Sequence, residues 1–232
     1  LIEAFDIGNP SYRDLTLLID EFTIFEDYRQ PISISSDSTV LAGFSSCTVS
    51  GELNFESDDI SFTVNESETD NIVVKGESAI VLLQNSDMKS LDLSYNNSTV
   101  VLDNCNFSNE TGKGIYLGNN SNLDIHDCSI EDCGNSGITV GAQSEIEIKY
   151  SFINNNGGDG LELGPESSVL LNNTMVSNNL GYGINSVGSV DIDYSVISGN
   201  EKKGVITQDF STIDNSIVWF NDGVPQLSTE NV

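Results

Sequence analysis

Gly114, Gly137, Gly160, Gly183 and Gly204 punctuate the second half of the chain at intervals of 23, 23, 23 and 21 residues. A fixed period of this length marks a repeat architecture, in which each unit is too small to bury its own apolar face and must stack on its neighbours. Aligned on the glycines, each unit contains three short runs of alternating apolar residues. The first run reads Ile115/Leu117, Ile138/Val140 and Leu161/Leu163, and shrinks to Ile184 and Val205. The second reads Val100/Leu102, Leu123/Ile125, Ile146/Ile148, Val169/Leu171 and Val190/Ile192, with Ile213 alone in the last unit. The third pairs a small residue with a large one: Cys105/Phe107, Cys128/Ile130, Ser151/Ile153, Thr174/Val176, Ser195/Ile197 and Ser216/Val218. A period of two is that of a β-strand with one face turned inward.

Three strands this short cannot pair with one another inside a single turn of chain, so each must find its hydrogen bonds in the equivalent strand of the next turn. The expectation is an all-β solenoid: three parallel sheets around one core, in coils of about 23 residues. With nine or ten coils spaced by roughly 4.8 Å, the rod would be on the order of 45 Å long. Each buried Ile, Leu or Val contributes roughly 1.5–3 kcal/mol, which offsets chain ordering only when neighbouring coils are present. Three residues beyond the large inward position stand Asn156, Asn179, Asn200 and Asn221, with Cys133 and Glu110 in that place in earlier coils. A column of amides there can satisfy turn carbonyls. The glycine four residues later is expected to supply a permissive backbone for re-entry into the first strand.

Upstream the repeat loosens, although TVSGELNF, DISFTV, NIVVKGESAIVLL and SLDLS still read as strands. The chain is expected to be one domain over residues 1–232, with an N-terminal cap and first strands in 1–40, coils in 41–223 and a tail in 224–232. Residues 1–30, including LTLLIDEFTIF, are candidates to cover the open top of the core; Trp219, Phe220 and Pro225 are candidates for the bottom, or for the point where a longer chain was cut. The start at Leu1 without a charged leader suggests a mature or excised fragment of a longer protein.

The coils GI-V-G/L-I-DC-I-DC and GL-L-G/I-I-S-I-NN, over about residues 76–223, resemble the right-handed parallel β-helix repeats of the pectin-lyase-like superfamily. The elements Ile153-x-x-Asn156, Ile197-x-x-Asn200 and Val218-x-x-Asn221 look like the repeats of bacterial surface β-helices such as polymorphic outer-membrane protein passengers. The companion GGA motif of that group is absent, its nearest echo being Gly157-Gly158-Asp159-Gly160-Leu161. Enzymes of the superfamily act on an outward sheet face with a Lys, Arg, His or Tyr base beside metals or acids. The resemblance implies the fold and the exported setting without dictating an activity.

Thirty-six acidic residues against eight basic ones give a net charge of −28. Such a field repels phosphate backbones and anionic headgroups, which argues against nucleic acid, and works against polyanionic sugars unless cations intervene. No segment reaches the 18 or more consecutive apolar residues of a membrane helix, so membrane insertion of this segment is not expected. With one histidine and no CxxC spacing there is no zinc set of Cys and His. Cys105 and Cys128 fall in one inward column, where either a disulfide or a stack of small thiols fits; the stack is the preferred reading, because stacked side chains lie parallel.

On the outward positions of the second strand two columns form: Val101, Asp124, Glu147, Leu170, Asp191, Thr212, and beside it Asp103, His126, Lys149, Asn172, Asp193, Asp214. Only His126 and Lys149 offer a base there, flanked by Asp103, Asp124 and Glu147, an arrangement able to bind a cation or orient an imidazole. Alternating charge on a solvated sheet face explains the same residues without chemistry. Glu147 with Glu162, or Asp191 with Asp193, are nominal carboxylate pairs for glycoside hydrolysis. Arg13 and Arg29 lie outside the regular coils, leaving no obvious partner for a uronate. No cofactor is expected; Ca²⁺ is an open candidate without assigned ligands. The expectation is a non-catalytic extracellular structural or adhesion module of a bacterial surface or secreted protein, binding carbohydrate or a surface protein. The alternatives are a polysaccharide-active lyase, epimerase or glycosidase using His126 and Lys149, and a phage or fibre segment.

Overall fold

The structure is a computed structural model, described over residues 14–20, 23–24, 32–35, 39–95, 97–209, 211–223 and 226–229. It is built of strands, and no described residue is helical. The second strands of successive coils form one parallel sheet of ten strands, from Asp14–Asp20 to Ser211–Asp214. Nine intervals of roughly 4.8 Å make this sheet about 43 Å long. Its inward columns hold like on like: Ala42, Phe62, Val81, Val100, Leu123, Ile146, Val169 and Val190 are successive Cα partners. Every one of them is buried.

Coil length changes along the rod, and the hydrogen bonds that join equivalent positions of adjacent coils measure it. Cys47 bonds to Ser67 across a sequence separation of 20, and Ser67 to Ser86 and Asn104 to Asn85 across 19. The separation is 23 from Ser98 to Ser121, from Ser121 to Ser144 and from Ser144 to Ser167, then 21 from Thr174 to Ser195. In the short coils the third strand of one turn runs straight into the first strand of the next, giving the long strands Thr48–Glu56, Glu68–Lys75 and Asp87–Leu93. The last of these is where the two architectures meet. Asp87 and Met88 pair with the third strand Asn106–Phe107, while Leu91, Asp92 and Leu93 pair with the separate first strand Ile115–Leu117. From Phe107 onward a turn is inserted between those two strands, and the coil becomes three-sided. The upstream register therefore departs from the downstream period because a corner is missing, not because the strands are irregular.

The solenoid also starts earlier than residue 40. Asp14–Asp20 pairs in register with Thr39–Ser45, Thr23–Ile24 pairs with Thr48 and Val49, and Ile32–Ser35 pairs with Leu53 to Glu56. The segment expected to cap the core is thus a coil of its own, at least over these residues; residues 1–13 lie outside the described part. At the other end Trp219 is 67% exposed and Phe220 79% exposed. They point to solvent and do not cover the core, and Pro225 lies outside the described residues. The strand Leu227–Thr229 instead continues the first-strand column by pairing with Val205–Thr207.

The inserted corner carries the asparagine column, buried throughout. Asn156, Asn179 and Asn200 each donate a backbone N–H and a side-chain Nδ2–H to the Oδ1 of the next asparagine, at 2.8–3.1 Å. Each Nδ2 also donates to a strand carbonyl: Ile130, Ile153 and Val176 respectively. Asn221 ends the ladder on Gln226, donating to its Oε1 from N and Nδ2. Cys133 begins it, its N–H donating to Asn156 Oδ1. Glu110 does not belong to this column: it is exposed, and the neighbouring Asn109 folds back onto the Lys113 carbonyl.

The glycines that follow are required by space and not by φ. A Cβ on Gly160 would lie 2.6 Å from the Gly183 carbonyl oxygen and 2.9 Å from Asn179 Nδ2; on Gly183, 2.5 Å from the Gly204 oxygen and 2.9 Å from Asn200 Nδ2. None of the five repeat glycines has a positive φ. The left-handed backbone sits elsewhere, at the corners: between the second and third strands it is the first of two linking residues, Ser46, Glu66, Asn85, Asn104, Asp127, Tyr150, Asn173, Tyr194 and Asn215, with φ between 47° and 54°, and residues such as Asn120, Gln143, Asn155 and Asn178 play the same part at the other corners. One αL residue turns the chain between sheets and directs the following small residue inward.

Candidate functional site

The outward columns of the ten-stranded sheet run as the alternation dictates. Asp103, His126, Lys149, Asn172, Asp193 and Asp214 are successive partners, as are Val101, Asp124, Glu147, Leu170, Asp191 and Thr212. His126 and Lys149 therefore stand side by side on adjacent coils, with Asp124 beside Glu147 in the parallel column. Their side chains nevertheless turn to different partners. Lys149 Nζ lies 2.7 Å from Glu147 Oε1, and this contact raises the lysine pKa above its ordinary value, with Asp124 adding to the effect. The ammonium form is held, which is unfavourable for a general base. His126 Nδ1 faces two carboxylates, Asp127 Oδ2 at 3.1 Å and Asp103 Oδ1 at 3.6 Å, and its ring meets Tyr150 edge-on at 5.3 Å.

The carboxylates of the nominal glycosidase pairs each have hydrogen-bond partners of their own or lie on different strands. Glu147 belongs to the ten-stranded sheet, whereas Glu162 stands on the first strand Leu161–Leu163, where it accepts from Thr139 Oγ1 and Ser136 Oγ. Asp191 and Asp193 are engaged with the next coil, accepting from Thr212 Oγ1 at 2.6 Å and Asn215 Nδ2 at 3.0 Å. Several lysines are also engaged. Lys89 pairs with Asp70 at 2.7 Å, and Lys113 and Lys202 lie over the rings of Tyr116 and Tyr182. Arg13 and Arg29 lie outside the described residues.

The four cysteines are buried free thiols. In the small inward column Cys105 N–H donates to Cys128 Sγ and Cys128 N–H to Ser151 Oγ, while each thiol points at the carbonyl two residues before it. Ser67, Ser86, Thr174 and Ser195 make the same contacts with hydroxyls. Cys47 heads this column, donating its N–H to Ser67 Oγ, and Cys133 heads the asparagine ladder. Hydrogen bonding with Cys105, then burial, pushes the Cys128 thiol well up; burial also raises Cys133. Cys128 and Cys133 stay protonated near neutral pH and are not poised as nucleophiles.

A second surface lies on the third strand, away from the outward positions that the sequence singles out. Its outward column reads Thr48, Glu68, Asp87, Asn106, Ser129, Phe152, Met175, Val196, Ile217. It is polar or acidic through Ser129 and wholly apolar from Phe152 onward. Phe152 and Ile217 are 52% and 58% exposed, with Met175 and Val196 half-buried between them. Exposed Trp219 and Phe220 extend the stripe at one edge, and exposed Tyr150 and Tyr194 flank it at the αL turns. Four coils at about 4.8 Å give a stripe on the order of 14 Å long. The signal for it in the sequence is the alternation of the third run, taken in its other phase.

The sequence pattern of the family described as right handed beta helix region matches residues 16–218. No curated protein and no solved structure matches the chain. The match covers most of the chain, including the early coil that the glycine period leaves out, and it agrees with the parallel stacking of coils seen from Ala42 to Ile217. The chain belongs to the right-handed β-helix family, a solenoid consistent with the pectin-lyase-like fold.

Proposed function

We propose that this chain is a non-catalytic extracellular adhesion module that binds a neutral carbohydrate through the apolar stripe of its third-strand face. The observation that carries the reading is the change of that one column from polar to apolar at Phe152, on a protein of net charge −28. A contiguous apolar patch on an otherwise charged surface marks an interaction site, since exposed aromatic rings are stable there only at a cost in hydration. Rings of the Phe152, Tyr194 and Trp219 kind can stack on the C–H faces of sugar rings, while the neighbouring Asn173, Asn215 and Asp214 offer amide and carboxylate groups to hydroxyls. The acidic field opposes uronates and sulfated chains and leaves uncharged glycans as the compatible class.

Support for a binding role over a catalytic one comes from the other face, where Lys149 is tied to Glu147 and the nominated acids are already hydrogen-bonded. The rigid stacking of coils suits a spacer that presents a face at a distance from its anchor. The test is a panel of neutral and acidic polysaccharides, scored for both binding and chain shortening. Binding of a neutral glycan without shortening, weakened at least tenfold by Phe152→Ser or Trp219→Ser, is the expected result. Shortening of any polymer that disappears in His126→Ala would overturn the proposal in favour of an enzyme, and binding unaffected by both stripe variants would sink the assigned face.

A further inference from the structure

Beside the stripe, at the corner between the second and third strands, three metal-ligating side chains converge. Asp103 and His126 are Cα partners at the ends of adjacent strands, and Asp127 is the αL residue directly after His126, with φ 52°. One ligand atom from each, the imidazole Nδ1 and one oxygen from each carboxylate, lies within 4.8 Å of the others. Nδ1 stands 3.1 Å from Asp127 Oδ2 and 3.6 Å from Asp103 Oδ1. In a tetrahedral site with bonds of about 2.0–2.1 Å, neighbouring ligand atoms are separated by about 3.3 Å. The two measured separations bracket that value, so a metal ion enters by small side-chain rotations without movement of the coils.

We infer that Asp103, His126 and Asp127 form a surface site for one divalent transition-metal ion of the Zn²⁺ or Cu²⁺ class. The donor set decides the class: an imidazole nitrogen with two carboxylate oxygens suits Zn²⁺, Cu²⁺ and Ni²⁺, whereas Ca²⁺ and Mg²⁺ select oxygen alone. Two carboxylates and a neutral imidazole carry a charge of −2, which one divalent ion neutralises, and the net charge of −28 concentrates cations around the rod. The Tyr150 ring against the imidazole restrains its orientation, the role usually taken by an outer-shell partner. All three side chains are close to half exposed, so a fourth position is open to water or to a ligand from a partner. This inference is independent of the carbohydrate reading.

The experiment is a calorimetric titration of Zn²⁺ into the whole chain at one fixed pH, with millimolar Ca²⁺ present to occupy diffuse acidic positions. Wild type is expected to take up one Zn²⁺ per chain. His126→Gln and Asp103→Asn should each weaken that binding at least tenfold, while Glu145→Gln, a carboxylate elsewhere on the same sheet, leaves it unchanged. Circular dichroism of each variant checks that the solenoid is intact. As a second readout, substoichiometric Cu²⁺ should broaden the NMR signals of the Tyr150 ring and of residues 103, 126 and 127 before any others. No Zn²⁺ uptake in the presence of Ca²⁺, equal uptake by His126→Gln, or broadening spread over the acidic faces would each overturn the site.

Discussion

The coils before and after Phe107 solve the same packing problem differently. In the early coils equivalent positions are separated by 19 or 20 in sequence, two long strands share each coil, and three aromatic rings pack among the aliphatic residues between them. Phe55 and Phe62 stack at 4.7 Å with planes 6° apart, and Phe44 meets Phe55 edge-on at 6.2 Å. From Ser98 to Ser167 the separation grows to 23, the additional corner holds a buried amide ladder, and the inward residues are almost all aliphatic. A corner made of polar side chains demands that every amide find a partner, whereas a corner closed by running two strands together needs none. A second divide lies outside, two coils further on, where the third-strand column turns from polar Ser129 to apolar Phe152. The downstream coils thus combine a more specified interior with the more distinctive surface.

If the ladder specifies the downstream half, breaking it should be the most damaging change. Asn179→Ala removes the acceptor for both N–H groups of Asn156 and the donor to Asn200 and Ile153, leaving buried groups unpaired. The expected loss is about 2–5 kcal/mol. Hydrogen exchange should then rise across the coils from residue 138 to 221 while residues 40–95 stay protected, since solenoid coils couple mainly to their neighbours. Next in size is Gly160→Ala. Its Cβ meets the Gly183 oxygen and Val176 Cγ1, both at 2.6 Å, and the expected cost is roughly 1–3 kcal/mol in chemical denaturation.

The upstream half offers the opposite sign. Thr69 is buried in the third-strand inward column between Val49 and Met88, and its Oγ1 has no hydrogen-bond partner among the described residues. Thr69→Val keeps the shape and removes the unpaired hydroxyl, so stability should increase by about 1 kcal/mol, read as a shift in denaturant midpoint. The smallest effect is expected at Cys128→Ser. Serine already fills this column at Ser86, Ser151 and Ser195 with the same pair of contacts, so the change should stay within about 1 kcal/mol of wild type. A large loss there would show that the thiols pack in a way hydroxyls cannot.

Within the glycine-spaced coils, the inward residues of all three strands, the outward columns of the second strand and the asparagine ladder are legible directly in the chain. Periodicity suffices there because each coil copies its neighbour. The coils before Phe107 are harder to place, since fusing two strands changes the period without changing the alternation, and Leu15 to Ile19 resembles a lid for the same reason. The repeat glycines are conspicuous in sequence, yet the reason for them is crowding by the next coil's carbonyl and amide, which exists only once coils stack. Tyr150 and Tyr194 are αL positions that no local signal announces, because an aromatic residue gives no sign of φ > 0. Of the candidate site, the repeat places His126 beside Lys149 and Asp103 in register; that His126 turns to Asp103 and Asp127 while Lys149 turns to Glu147 is decided by side-chain geometry.

The most direct test of the account is a hydrogen-exchange footprint of the chain with a bound neutral oligosaccharide. Protection is expected to be confined to the third strands and αL turns from Tyr150 to Phe220, with no change on the equivalent face from Thr48 to Ser129. Protection centred on residues 103, 124, 126, 147 and 149 of the ten-stranded sheet, or spread evenly over both halves, would contradict it.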